Sequence, residues 1–144
     1  MNCGQIYNSL RSWQKLSGIN MRPKLAYKVL CYTRLVSLEF VIINSQRERA
    51  IREVSGISSG DVEIAPDTLQ AAECNRVVQE IFDVGSALPQ IDLCLSDTID
   101  AVDEKDETLT VQDLAFLEPF FQDYVEPENF RNKDGTPKTE LNGE

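Results

Sequence analysis

A helical repeat that runs from residue 22 to residue 54 is the strongest constraint on this chain. Leu25, Val29, Tyr32, Val36, Phe40, Ile43, Ala50 and Val54 follow one another at steps of three, four or seven, the spacing that lines up one face of an α-helix. Pro23 suits the first turn of such a helix, where its missing N–H loses no bond. At 1.5 Å per residue the helix is about 50 Å long, more than the width of a compact domain of this size. Part of it must therefore project, pair with another molecule, or be covered by something other than the first helix.

A shorter helix precedes it. Ile6, Leu10, Trp13 and Leu16 mark one face over residues 5–17, and Gly18 is placed to close it as a left-handed cap. The two helices together read as a long antiparallel hairpin. After it, the SGISSG stretch at 55–60 breaks the pattern, and DVEI at 61–64 alternates like a short strand. Pro66 and Asp67 open a third helix with Cys74, Val77, Val78, Ile81 and Phe82 as its stripe and Gly85 as its stop. Ile91, Leu93 and Leu95 alternate with Asp92 and Cys94 as a second short strand. Residues 97–107 read as an acidic loop. Thr110 and Asp113 have the spacing of a capping pair for a last helix, which Pro119 should kink or divide after Leu117. The expected class is α+β, mainly α: a helical hairpin, then a small part with two short strands and two helices. A single domain is expected over residues 1–125, followed by a disordered acidic tail at 126–144.

Charge divides at the same place as the pattern. Residues 1–54 hold nine Lys/Arg against three Asp/Glu, whereas residues 55–144 hold five against twenty-one, within a net charge of −10 over 144 residues. A basic hairpin (1–54) and an acidic α/β part (55–125) either neutralise each other or face different partners. The N-terminus has no continuous apolar stretch of the kind a signal peptide needs, and Arg34 and Glu39 interrupt the most apolar run, 29–43. No membrane association is expected. Cys3, Cys31, Cys74 and Cys94, with no CxxC pair, read as reduced thiols of a cytoplasmic protein, host cytoplasm if the gene is viral.

Catalytic signatures are missing. The chain has no histidine, which removes the commonest general base and metal ligand together with the Ser-His-Asp and Cys-His arrangements. Ser12 and Lys15 stand three residues apart, as a Ser-Lys pair would, but nothing in the sequence marks Lys15 as desolvated. The acidic run at 97–107 does not match a calcium loop, and the glycines do not form a phosphate-binding loop. No enzyme activity, cofactor or metal site is expected.

Binding is the expected mode of action, to another protein or to a second copy. Phe40, Val41, Ile42 and Ile43 go nearly all round one helical turn, more than a first helix with a single stripe can cover. Asp103, Glu104, Asp106 and Glu107 are the acidic counterpart, free either to fold onto the basic hairpin or to meet a basic partner. The competing reading is nucleic acid, held by Arg11, Lys15, Arg22, Lys24, Lys28 and Arg34 around the hairpin turn. Against it stand the few aromatics there and the repulsion from the acidic half.

The order of elements resembles small uncharacterised proteins of tailed bacteriophages. The residues that carry the likeness are Pro23, Lys24, Ala26 and Tyr27 at the start of the long helix and Arg47, Arg49, Ile51, Arg52 and Glu53 near its end. The closing LTVQDLAFLEPF segment at 109–120 completes it. The resemblance implies a phage-encoded accessory protein without assigned enzymatic activity. It implies no particular binding residues; the more apolar Val41, Ile42 and Ile43 of this chain favour a partner on that face.

Overall fold

A computed structural model describes residues 1–102 and 109–125. The first helix, α1, spans Cys3–Ser17. It begins in a capping box: the Asn2 side chain accepts from the Gln5 N–H at 2.9 Å, and the Gln5 side chain accepts from the Asn2 N–H at 2.9 Å. Gly18 closes it in the right-handed region, φ −87°, and not as the expected left-handed cap. Its N–H turns back to the Lys15 and Leu16 carbonyls, so no positive φ is needed.

The long helix, α2, spans Pro23–Ser55 with Pro23 at its first position. It ends where Gly56, φ 74°, adopts the left-handed conformation that glycine permits and donates its N–H to the Arg52 carbonyl. Trp13 lies beside Tyr32 and Tyr7 beside Phe40, and the Thr33 hydroxyl approaches the Trp13 carbonyl. Those pairings run in opposite directions along the two helices, so the hairpin is antiparallel as expected. On α2, Val29, Tyr32, Val36 and Ile43 are buried, and on α1, Ile6, Ser9, Trp13 and Leu16. The buried Ser9 hydroxyl is satisfied by the Ile6 carbonyl at 2.9 Å.

The third helix, α3, spans Leu69–Phe82, capped by the Thr68 hydroxyl and ended at Asp83, before Gly85. It packs against both α1 and α2, so it covers part of the long helix that α1 does not reach. Gly4 is the closest point of the α1 to α3 contact: a Cβ there would stand 3.0 Å from the Phe82 Cβ. Gly4→Ala should therefore lower stability by about 1 kcal/mol, because the overpacking outweighs the gain in helix propensity. Thermal unfolding checks this.

The expected α+β class is corrected. Among the described residues there is no strand; the only β pairing is an isolated bridge between Asn2 and Gly85. The DVEI segment at 61–64 alternates but has no partner segment, and a lone strand leaves its backbone groups unpaired. The second expected strand is a bend instead: Asp92 and Leu93 turn, and the Leu93 N–H donates back to the Ile91 carbonyl at 2.8 Å. There the Ile91 N–H donates to the Phe120 carbonyl and the Gln122 N–H to the Leu93 carbonyl. Two such bonds tie it to the chain's end, too few for a ladder. Leu95 belongs to a helix instead: α4 spans Leu95–Asp100, replacing the end of the strand and the start of the acidic loop. The carboxylate of Asp123 accepts the N–H of Leu95 at 2.8 Å and of Ser96 at 3.3 Å, an N-terminal cap delivered from 28 residues away.

The last helix, α5, spans Val111–Leu117 with Thr110 and Asp113 in a capping box. Pro119 divides it after Leu117, and a 3₁₀ turn, Glu118–Phe120, follows. Ile91, Leu117, Phe120 and Phe121 join the hairpin's residues in one hydrophobic core. The basic and acidic halves are thus two sides of one interior. The expected tail at 126–144 and residues 103–107 of the acidic loop lie outside the described residues.

Candidate interaction face

The turn at 40–43 divides into two pairs. Ile43 is buried in the core, and Phe40 stacks on Tyr7 at 4.9 Å between ring centroids, so both face inward. Val41 and Ile42 face out, 62% and 58% exposed. They are not isolated: Tyr27, Leu30, Leu35 and Leu38 are also exposed on α2, Tyr27 and Leu38 by 68% and 65%. Tyr27, Cys31, Arg34, Leu38, Val41, Ser45, Glu48 and Arg52 alternate steps of four and three. That heptad spacing places them along one outward seam, with Leu30, Leu35 and Ile42 on its flanks. The long helix therefore has two apolar stripes, one against the core and one turned away from it. Only Val41 and Ile42 of the outward stripe were expected; Tyr27 and Leu38 lie on the heptad seam through Val41, and Leu30 and Leu35 flank it on opposite sides.

Two depressions border the face. Near its start, Tyr27, Cys31, Leu35, Pro89 and Ile91 enclose about 270 Å³ of largely apolar space. At its far end Ser45, Glu48, Arg49, Arg52 and the loop residues Gly56 and Ile57 frame a groove of about 500 Å³. Arg52 holds that loop in place by donating to the carbonyls of Ile57 and Gly60.

The six candidate basic residues do not form one patch. Lys15 is committed to Asp113 at 2.9 Å and Lys28 is beside Asp92 at 3.6 Å. Both pairs join the basic half to the acidic half. Arg11, Arg22, Lys24 and Arg34 are exposed; Arg22, Lys24 and Lys28 meet around one depression with Leu25, Leu93 and Asp97, while Arg34 sits within the seam of α2. Asp103, Glu104, Asp106 and Glu107 lie outside the described residues.

Ser12 and Lys15 do meet at one point, the carboxylate of Asp113. The Ser12 hydroxyl donates to it at 2.7 Å, Lys15 at 2.9 Å, and the Thr110 N–H and hydroxyl at 3.0 Å each. Burial alone would raise this acid, but those donors outweigh it and hold Asp113 well below the usual carboxylate range. A carboxylate so weakly basic is a poor general base, and the Ser12 side chain is buried beneath it. The network pins α5 to α1. Among the described residues no group of three Cys, Asp or Glu side chains converges as metal ligands would, and no helix is long and apolar enough to cross a membrane. The four cysteines are free thiols.

No protein-family model, no curated protein and no solved structure matches this chain.

Proposed function

We propose that the protein acts without catalysis, by binding a protein partner through the outward face of α2. The observation that carries this reading is the continuous stripe of exposed large apolar side chains opposite the core. Those six residues present roughly 600 Å² of accessible surface, at the upper end of the largest patch on an ordinary monomer. A stripe of that size, rimmed by charge, is characteristic of a docking surface. The resemblance to phage proteins supports an accessory role in a phage or mobile element, and the free thiols suit a reducing cytoplasm.

The test is capture from the producing cells by the tagged chain, with and without nuclease, compared with the Leu38→Glu/Ile42→Glu variant. Both side chains point outward, so the variant should unfold within about 0.5 kcal/mol of the parent. The expected result is loss of captured protein at unchanged stability. Capture that survives the substitution but disappears with nuclease, or with Lys24→Glu and Arg34→Glu, would instead favour nucleic acid held by Arg11, Arg22, Lys24 and Arg34. Such binding should be weak and salt-dependent, since so few cations reach a phosphate backbone.

A further inference from the structure

We propose that the occupant of this face is a second copy of the chain, its α2 antiparallel to the first and the two-fold axis close to Val41. The proposal rests on the reading of the face as a protein-binding surface, and three features of that face single out this partner.

Charge is the first. Antiparallel pairing about residue 41 sets positions equally far before and after Val41 opposite one another. Arg34 then meets the partner's Glu48 along the seam, twice by symmetry. Both side chains are exposed on the outward side of α2. Parallel pairing would put Arg34 against Arg34 and Glu48 against Glu48, which is repulsive.

Shape is the second. In the antiparallel register Tyr27 and Leu30 come to lie opposite positions 55 and 52 of the partner. That is where the groove of about 500 Å³ opens between α2 and the loop at Gly56 and Ile57. An exposed tyrosine ring is complementary in shape to an open groove of that size, whose Arg49 and Arg52 edge is held by Glu53 and by the loop carbonyls. The same face thus carries both a projecting end and a receiving end, as a self-complementary interface requires.

Area is the third. Two faces of roughly 600 Å² bury about 1,200 Å² in total, the lower edge of the range for specific interfaces. Leu38, Val41 and Ile42 are the central anchors. An interface at that lower edge, with one narrow seam, belongs with weak and reversible associations.

Sedimentation equilibrium of the full chain over about 1–200 μM should show a reversible monomer–dimer equilibrium. Val41→Glu should weaken it by more than about 100-fold, because a charge is then buried beside its own symmetry mate. Arg34→Glu and Glu48→Arg should each weaken it by about tenfold, through like charges set face to face. The double variant Arg34→Glu/Glu48→Arg should return to within about threefold of the parent. Positions 34 and 48 are about 21 Å apart along one helix, so recovery can arise only between copies. Circular dichroism of each variant should match the parent, since these side chains are exposed.

A parent that stays monomeric at the highest concentration, or a double variant no stronger than either single one, overturns the proposal. A monomeric parent whose Leu38→Glu/Ile42→Glu variant loses its captured protein overturns the second copy alone and leaves the binding face standing. A dimer abolished by Val41→Glu supports the second copy, whatever else the face captures.

Discussion

Trp13→Ala should cost about 3–5 kcal/mol of stability, which leaves a domain of this size close to unfolded at room temperature. The indole is fully buried, stacked near Phe121 at 5.6 Å, tilted against Tyr32 at 4.9 Å and edge-on to Phe120 at 5.6 Å. Those three rings come from α2 and from the chain's last described turn. Trp13 is therefore where the hairpin and the acidic half hold each other, and its loss should loosen both. Trp13→Phe separates volume from polarity. The indole N–H is buried with no acceptor among the described residues, so removing it recovers desolvation that offsets part of the lost volume. The phenylalanine variant should cost only about 1–2 kcal/mol. Urea unfolding followed by the helical circular dichroism signal, which does not depend on the substituted chromophore, gives both values. A cost below about 1.5 kcal/mol for Trp13→Ala would mean that the two halves are not joined through this residue.

Local signals carried most of the helical architecture. Proline at the start of α2, the glycine after its end, the Thr110 and Asp113 pair and the break at Pro119 act within a few residues of themselves, and each is seen where its chemistry puts it. The left-handed cap expected at Gly18 failed locally, whereas the failures over residues 91–100 share the opposite property. α4 is begun by Asp123, 28 residues along the chain, and the segment from Ile91 to Leu93, which bends despite its alternation, is held by the turn at Phe120 to Gln122. A periodicity of two permits a strand; it does not say that a ladder exists. The candidate face was half legible. Attention to the stripe that builds the core left Tyr27 and Leu38, on the seam through Val41, and Leu30 and Leu35, on its two flanks, unread. Phe40 and Ile43, grouped with Val41 and Ile42 by adjacency, are separated from them by the 100° turn between neighbours on a helix.

Asp113 is the other position at which a single side chain joins distant parts, and replacing it should be nearly as costly as losing Trp13. Its partners Ser12 and Lys15 are 101 and 98 residues away. Asp113→Asn keeps the shape but sets an amide N–H₂ among donors, leaving buried groups of Ser12 or Thr110 unpaired. We expect a loss of about 2–4 kcal/mol at neutral pH. The same carboxylate makes stability depend on acid. Folding holds the Asp113 pKa below its unfolded value of about 4, so its contribution is complete above that value and is lost as pH falls through the folded pKa. Asp123 is lowered too, first by the Leu95 N–H it caps, and acts in the same direction. Unfolding free energy should thus fall between about pH 4 and pH 2 in the parent, and the slope should be shallower in Asp113→Asn, where only Asp123 and weaker carboxylates remain. Urea titrations at fixed pH steps test this. Equal slopes in parent and variant would mean that Asp113 is not held ionised by α1, and that Ser12 and Lys15 do not anchor α5.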